Sequence, residues 1–457
     1  MDVEKDHLLM DQVKPTQQLL RFFGLTFGLA GSVGGTIGAG ILRTPGLIAQ
    51  QLSSPFGIVA VWLFGGLYAL LAACCIAELA AALPRAGGWY VYTEAAFGRR
   101  AGVVVGWCDW LAHCIGLAWV ATTLGDYLVT YLGNVTGLSS SWIALMVLGM
   151  FSGIQLLGVR AGGVSQELLS LAKALAFMVL VLACFLLPHP TAVVLPSASI
   201  VANDPPAGTA LLMPLVLALQ AVITTYDGWA SPVYFAEEFR NPGRDLPRSL
   251  IGGVVAVVLL YLLINLALLH VLPLAALGAS PLPAATAAMA LVGPWGEVAI
   301  TIIALVALLG LINTVVMAAP RTLYGLGRDG LLPKFTAGVN DGGTPVAALL
   351  LTAGAAGLLT LTGSFERLLA IGAVLYVLLP LSGLAALAAL RIQQPELERP
   401  FRCWLYPITP IVVGSISVVF LVATSIEDPG NSVIAVALAG LGLVTLLHPP
   451  GEPLNPV

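Results

Sequence analysis

Twelve stretches of this chain are each apolar over about 20 residues, the length an α-helix needs to cross some 30 Å of hydrocarbon. That layer holds no water, so every backbone N–H and C=O of a spanning segment must find its partner inside the protein. The expected spans are 22–51, 55–83, 101–132, 141–159, 164–187, 209–238, 249–272, 296–325, 344–362, 367–390, 405–424 and 432–448. Only 9% of the residues are charged and 58% are hydrophobic, against roughly 25% charged in a soluble domain. The composition therefore excludes a soluble class. The polar start, Met1 to Gln18, shows no cleavable signal, and no soluble domain is expected at either end.

The placement of Lys and Arg gives the topology. With both termini inside, 16 of the 19 basic residues fall on one side: Lys5, Lys14, Arg21, Arg85, Arg99, Arg100, Arg160, Arg240, Arg244, Arg248, Arg321, Arg328, Lys334, Arg391, Arg399 and Arg402. The opposite loops hold only Arg367, while Arg43 and Lys173 fall within spans. Such asymmetry orients a chain by the positive-inside rule; the net charge of −4 carries little weight. The exterior segments 188–207 and 273–295 are rich in Pro and Ala and too short for a domain. Cys74, Cys75, Cys108, Cys114, Cys184 and Cys403 all lie in or beside apolar stretches, so free thiols are expected.

Two of the spans are interrupted. Gly31 to Gly40 reads GSVGGTIGAG, and Thr224 to Pro232 reads TTYDGWASP. Non-helical backbone at membrane depth survives only where it lines a cavity or ligand site. Broken spans at corresponding places in two halves point to the binding site of a secondary transporter. Segments one and six each begin a set of five, implying two repeats of opposite topology.

At these breaks the chain resembles the amino acid–polyamine–organocation superfamily, in particular its bacterial L-amino-acid transporter-like members. Four motifs carry the likeness: Gly34–Leu42 (GGTIGAGIL), Leu83–Tyr92 (LPRAGGWYVY) followed by Glu94–Gly98, Tyr226–Trp229 (YDGW) followed by Glu237–Pro247, and Arg321–Pro333 (RTLYGLGRDGLLP). The resemblance implies an all-α polytopic fold of 12 transmembrane helices, a five-plus-five inverted repeat with discontinuous helices 1 and 6. The expected division is a tail at 1–21, the first repeat at 22–187, the second at 209–390, helices 11 and 12 at 405–448, and a tail at 449–457.

A zwitterionic ligand brings a carboxylate and an ammonium into the membrane, where buried charge is costly without good partners. A helix broken mid-membrane supplies free N–H groups and a positive dipole end at one half, and free carbonyls at the other. Gly38, Ala39 and Gly40 are the expected carboxylate donors. The carbonyls of Thr36 and of Thr224 or Asp227 are the expected ammonium acceptors, which agrees with the family pattern. Ile37, Thr225, Tyr226 and Trp229 complete the substrate-binding set, Trp229 as a pocket wall or as packing. Three roles are open to Asp227: binding the ammonium, sensing a proton, or capping the inner half-helix.

Lys173 lies in the middle of the fifth span, at a depth where snorkelling is difficult. The family places a lysine in this helix, its ammonium reaching the back of the first broken helix and standing in for the sodium ion of more distant relatives. A fixed charge would suit an exchanger, and a titrating one proton symport. Ala318 and Ala319 stand where sodium-coupled relatives offer hydroxyls, and a hard cation needs oxygen ligands. Asp109 and His113 share one helix face, as a proton relay or as a simple pair. Arg43 could attract anions or pair with Asp227. Glu78 beside Arg85 suggests a gate contact, and Glu237 and Glu238 with Arg240, Arg244 and Arg248 a gate or helix cap.

The expected function is secondary transport of neutral L-amino acids across the plasma membrane of a bacterial cell, sodium-independent, by proton symport or exchange. A cationic amino acid or polyamine carrier is the alternative, with Asp227 reading a second positive charge. No HExxH, paired span aspartates or Ser/His pair supports an intramembrane enzyme, and a channel would lack a saturable, zwitterion-matched break. No metal, cofactor or nucleic-acid partner is expected, and lipid surrounds the chain. Animal members place an aromatic where Thr224 stands and bind a glycoprotein through a loop cysteine. The loop from Gly133 to Ser140 has none, so no such subunit is expected; its Asn134–Thr136 fits a glycosylation sequon.

Overall fold

The computed structural model describes residues 19–52, 54–132, 137–188, 212–362 and 365–442. The residues Lys5, Lys14 and Asn134–Thr136, the C-terminal tail and the side chain of Arg367 lie outside that set. The described chain is helical: α1 Leu25–Thr36, α2 Gly40–Gln51, α3 Pro55–Ala82, α4 Trp89–Phe97, α5 Arg99–Leu132, α6 Ser140–Leu156, α7 Val159–Leu186, α8 Leu212–Tyr226, α9 Pro242–Val271, α10 Leu274–Ala279, α11 Pro283–Val292, α12 Pro294–Arg328, α13 Val346–Thr362, α14 Phe365–Gln393, α15 Ile408–Glu427 and α16 Pro429–Leu441. A 3-10 helix, Ser231–Glu238, follows α8.

Seven helices are long and apolar enough to cross a bilayer, and α1 with α2, bent by 46°, makes an eighth span. The other four expected spans coincide with α6, α13 and α16, which are shorter apolar helices, and with α8 plus its 3-10 continuation. The segment expected as a plain exterior loop at 273–295 instead holds α10 and α11. They pack on α2: Gln50 Nε2 donates to Gly278 O at 2.8 Å, and a Cβ on Gly46 would meet Pro283 at 2.7 Å. All six cysteines are buried and free of disulfides.

Each break is narrower than the glycine pattern suggests. α1 runs through Gly34, Gly35 and Thr36, so only Ile37 to Ala39 leave the helix. In the second break residues 227–230 form a turn, and the chain resumes as the tighter 3-10 coil. The two breaks touch. Gly228 has φ +98°, a left-handed conformation that suits glycine, and a Cβ there would run into Gly35 O. A Cβ on Gly35 would in turn meet the Ser231 hydroxyl. These two glycines are required for close approach and for backbone angle.

Below the breaks, both interrupted spans are tied together. The N–H groups of Phe22 and Phe23 donate to Glu238 O at 2.9 Å each, and Arg240 N–H donates to Phe23 O at 2.9 Å. Phe23, Phe27, Phe235 and Phe239 stack around this junction. Arg321 of α12 grips Glu238 at 2.9 and 3.2 Å and lies 5.0 Å over the Phe235 ring. Both side chains are about fully buried.

Candidate functional site

The two breaks border a hollow. Gly40, Thr224 and Asp227 are exposed, and Gly38 and Ala39 half-buried, although they lie between buried helix segments. Asp227 is within electrostatic reach of Tyr68, His113, Tyr234 and Tyr376. Those groups come from α3, α5, the 3-10 segment and α14, and Asp227 is exposed among them.

On one side of the hollow α2 begins. The first N–H groups of a helix have no intrahelical acceptor, and those of Gly38, Ala39 and Gly40 have no backbone partner among the described residues. They carry the positive end of the α2 dipole. A Cβ at Gly40 would touch only Thr225, at 3.7 Å, and one at Gly38 only Leu311, at 3.5 Å. Packing therefore tolerates a methyl group at both, unlike at Gly35 and Gly228. What those glycines leave free is the hollow itself.

The last carbonyls of α1 face the opposite way. Lys173 Nζ donates to Gly34 O at 2.7 Å and to Ile37 O at 2.9 Å. One and two turns earlier along α7, Ser170 donates to Ala30 O at 2.7 Å and Gln166 to the same oxygen at 3.2 Å. Three polar side chains on one face of α7 thus bond carbonyls in the middle of α1 and at its end. Gly310 makes room for the lysine: a Cβ there would meet Lys173 Nζ at 2.9 Å and crowd its Cε. Asn313, one turn on, donates to Gln166 Oε1 at 2.8 Å.

Between the breaks stands Tyr261 of α9. Its hydroxyl lies 3.1 Å from Thr36 O and 3.4 Å from Thr225 O, bridging the end of α1 to the end of α8. Thr44 and Thr225 hydroxyls meet at 2.9 Å and join α2 to α8. Sequence reasoning missed Tyr261, Gln166, Ser170 and Asn313. Each is a polar residue within an apolar span, a signal that was available, since such groups must find a partner in the bilayer.

The expected substrate residues divide. Gly38, Ala39, Gly40, Thr224 and Asp227 border the hollow, and Thr225 adjoins it through Gly40. Thr36 and Ile37 are buried and present backbone only; the Thr36 hydroxyl donates to Ser32 O at 2.8 Å. Tyr226 is turned into the core, its hydroxyl donating to Trp62 O at 3.2 Å and its ring packed on Trp62 and Tyr261. Trp229 is likewise buried. Arg43 is exposed and makes no ion pair with Asp227.

Asp109 and His113 do more than pair with each other. His113 Nδ1 lies 3.2 Å from Asp109 Oδ1, to which the Tyr234 hydroxyl also donates at 2.8 Å. Thr322 of α12 donates to the other carboxyl oxygen at 3.3 Å. The pair thus fastens α5 to the second broken span and to α12.

One end of the molecule gathers arginines and acidic partners. Arg85 and Arg328 converge on Asp329, Arg328 also pairs with Glu237, and the Tyr90 hydroxyl donates to Asp329 at 2.9 Å. Arg99 donates to the carbonyls of Asp329 and Gly330 at 3.1 and 3.2 Å. Burial would raise the Asp329 carboxyl, but the bonds and charges of Arg328, Arg85 and Tyr90 outweigh it and hold it below its ordinary value. Glu78 does not join this network. It pairs with Arg391 at 2.6 Å and Arg399 at 3.1 Å, because α3 runs along α14 at this end and the 83–88 turn carries Arg85 towards α12. Nor do Arg240, Arg244 and Arg248 pair with Glu237 or Glu238, whose partners are Arg328 and Arg321.

Among the described residues, no group of three His, Cys, Asp or Glu side chains is arranged to hold a metal. The architecture is that of a multi-pass membrane protein with its spans broken around a central hollow. Residues 18–447 match the amino acid permease family, and the chain belongs to it. It is 27% identical to the serine/threonine exchanger SteT of Bacillus subtilis (strain 168), over 93% of this chain and 96% of that one. It is 26% identical to the b(0,+)-type amino acid transporter 1 of Rattus norvegicus, over 91% of this chain and 84% of the other. It shares 26% with the branched-chain amino acid permease BcaP of Lactococcus lactis subsp. cremoris (strain MG1363), over 85% and 87%.

Proposed function

We propose that this protein is a secondary carrier of L-amino acids, neutral ones first, working by alternating access as a sodium-independent proton symporter or exchanger. The single observation that carries the reading is the hollow between the breaks. The N–H groups of Gly38–Gly40 have no backbone partner among the described residues, and Asp227 is exposed at the other break. An α-carboxylate sits on the start of α2 and the ammonium lies towards Thr224 and Asp227, with Thr36 O keeping one lone pair beyond its bond from Tyr261. The Lys173 side chain on the carbonyls of Gly34 and Ile37 supports independence from sodium, since it already engages oxygens that a hard cation would need.

The relatives support an amino acid as cargo, and their names span hydroxyl, branched and b(0,+)-type specificity. We place the carrier in the plasma membrane of a bacterial cell, with the arginine-rich end and both termini in the cytoplasm, on the charge asymmetry and the two bacterial relatives. The two sets of five spans, 22–187 and 209–390, act as inverted repeats around the breaks. The Asp329 network then works as the inner gate, which must open for release. Asp227 supports a second reading: exposed and without an ion pair among the described residues, it could bind the second positive charge of a cationic amino acid.

Purified protein in proteoliposomes, tested with labelled amino acids and polyamines, decides between them. Saturable uptake with counterflow, unchanged when choline replaces sodium, is expected. Strict sodium dependence would end the coupling proposal, and flux linear in concentration would end the carrier reading. Uptake of lysine or arginine that Asp227→Asn abolishes, with no neutral substrate found, would favour the second reading.

A further inference from the structure

Three arginines, one just before α9 and two in its first turns, are left over from the ion-pair networks of their own end of the molecule. Arg240, Arg244 and Arg248 are exposed and have no carboxylate partner among the described residues. The neighbouring acids do not neutralise them: Glu237 and Glu238 are committed elsewhere, Asp245 is buried, and Glu396 and Glu398 make no ion pair with them. Topology alone asks for positive charge on this side; it does not ask that three arginines border one cavity. Here they do, around an open depression of about 910 Å³ that Ile251, Pro400 and Phe401 also line. The first turn of the 30-residue helix α9 adds its positive dipole end.

The apolar side of this cavity continues into the bilayer. From Arg244 and Arg248, steps of three and four residues pass Ile251 and Gly252 to Val255, Leu259, Leu263 and Leu266, which are 38–57% exposed. One helix face therefore presents guanidinium groups at the membrane surface and an uncovered aliphatic stripe beneath them. A soluble phosphate would use the first part only. We propose that this cavity holds the phosphate headgroup of an anionic glycerophospholipid, whose acyl chains lie along the Val255–Leu266 stripe. Guanidinium groups suit phosphate by forked, charge-assisted hydrogen bonds, and basic pockets between spans are suited to such headgroups. The same helix carries Tyr261, so the lipid would brace the element that bridges the two breaks.

The test uses the full chain in phosphatidylcholine nanodiscs, with phosphatidylglycerol binding measured by native mass spectrometry and by thermal shift. The R240Q/R244Q/R248Q variant should bind phosphatidylglycerol on the order of 100-fold more weakly, roughly fivefold per arginine. A control with Arg21, Arg100 and Arg160 changed to Gln has the same charge loss on that side and should bind as the native chain does. Equal loss in both variants would mean general leaflet charge and overturn the site. Glycerol 3-phosphate should neither bind nor stabilise; if it matches the lipid, the ligand is a free phosphate and the proposal fails. Should the triple variant not fold, R244Q and R248Q alone must each show a graded loss, and no loss in either overturns the assignment.

Discussion

At Gly40 the question of ligand against packing can be put with one methyl group. Gly40→Ala meets only Thr225 at ordinary contact distance, so the variant should fold and express as the native chain. Its substrate affinity should fall roughly 10- to 100-fold, the effect of about 1–3 kcal/mol of crowding. Unchanged affinity in a binding assay would refute the carboxylate assignment. Gly35→Ala is the contrast, because it strikes Ser231 and Gly228 O and should reduce folded yield. Lys173 gives a second paired test. Lys173→Met strands the carbonyls of Gly34 and Ile37, each at a cost of roughly 1–3 kcal/mol. Gly310→Ala keeps the lysine but displaces its ammonium. Both should slow uptake by about tenfold or more; full activity in Gly310→Ala would show that the position of the ammonium does not matter. The sequence marked Lys173 and the glycines because charge and backbone freedom in a membrane span are rare. It did not show that Tyr226 faces the core, since a tyrosine beside a break reads the same whichever way it turns.

The elements that matter most are the halves of the broken spans and what anchors them. The 3-10 segment 231–238 is held to α12 by Glu238 and Arg321, both buried. Glu238→Gln leaves a buried guanidinium without its counter-charge, at about 3–5 kcal/mol. Thermal unfolding in detergent should show a drop of several degrees, and Arg321→Met with Glu238→Met should recover much of it. An unshifted midpoint for Glu238→Gln would mean that the pair does not anchor the segment. At the same end, Asp329→Asn removes the hub shared by Arg85 and Arg328. Cysteine labelling within the hollow from the arginine-rich side should rise several-fold if this network is the gate. Because the Asp329 carboxyl is held below its ordinary value, of about 3.9, its contribution is complete above that pH. It is lost only as pH falls through the lower folded value. Gate accessibility should therefore be flat from pH 8 to about 5; a change in that range must come from another group. The hub was not legible in the sequence, which set Arg85 beside Glu78. Neighbours along the chain suggested a pair that the 83–88 turn separates.

For the whole molecule, apolar length was enough to mark a helical, multi-pass membrane protein, because lipid leaves a backbone so few alternatives. The positions of both interruptions were equally plain, since glycine runs and a mid-span aspartate are costly anywhere else. Tertiary structure alone decided how the interruptions meet. Gly228 against Gly35, Tyr261 across both carbonyl ends, and the α7 ladder of Gln166, Ser170 and Lys173 are contacts between segments 36 to 225 residues apart. It also decided which arginines are spent on carboxylates and which remain for a ligand. Hydropathy acts residue by residue and survives in a linear reading. Partner choice among buried polar groups depends on helix rotation and crossing, which no local pattern encodes.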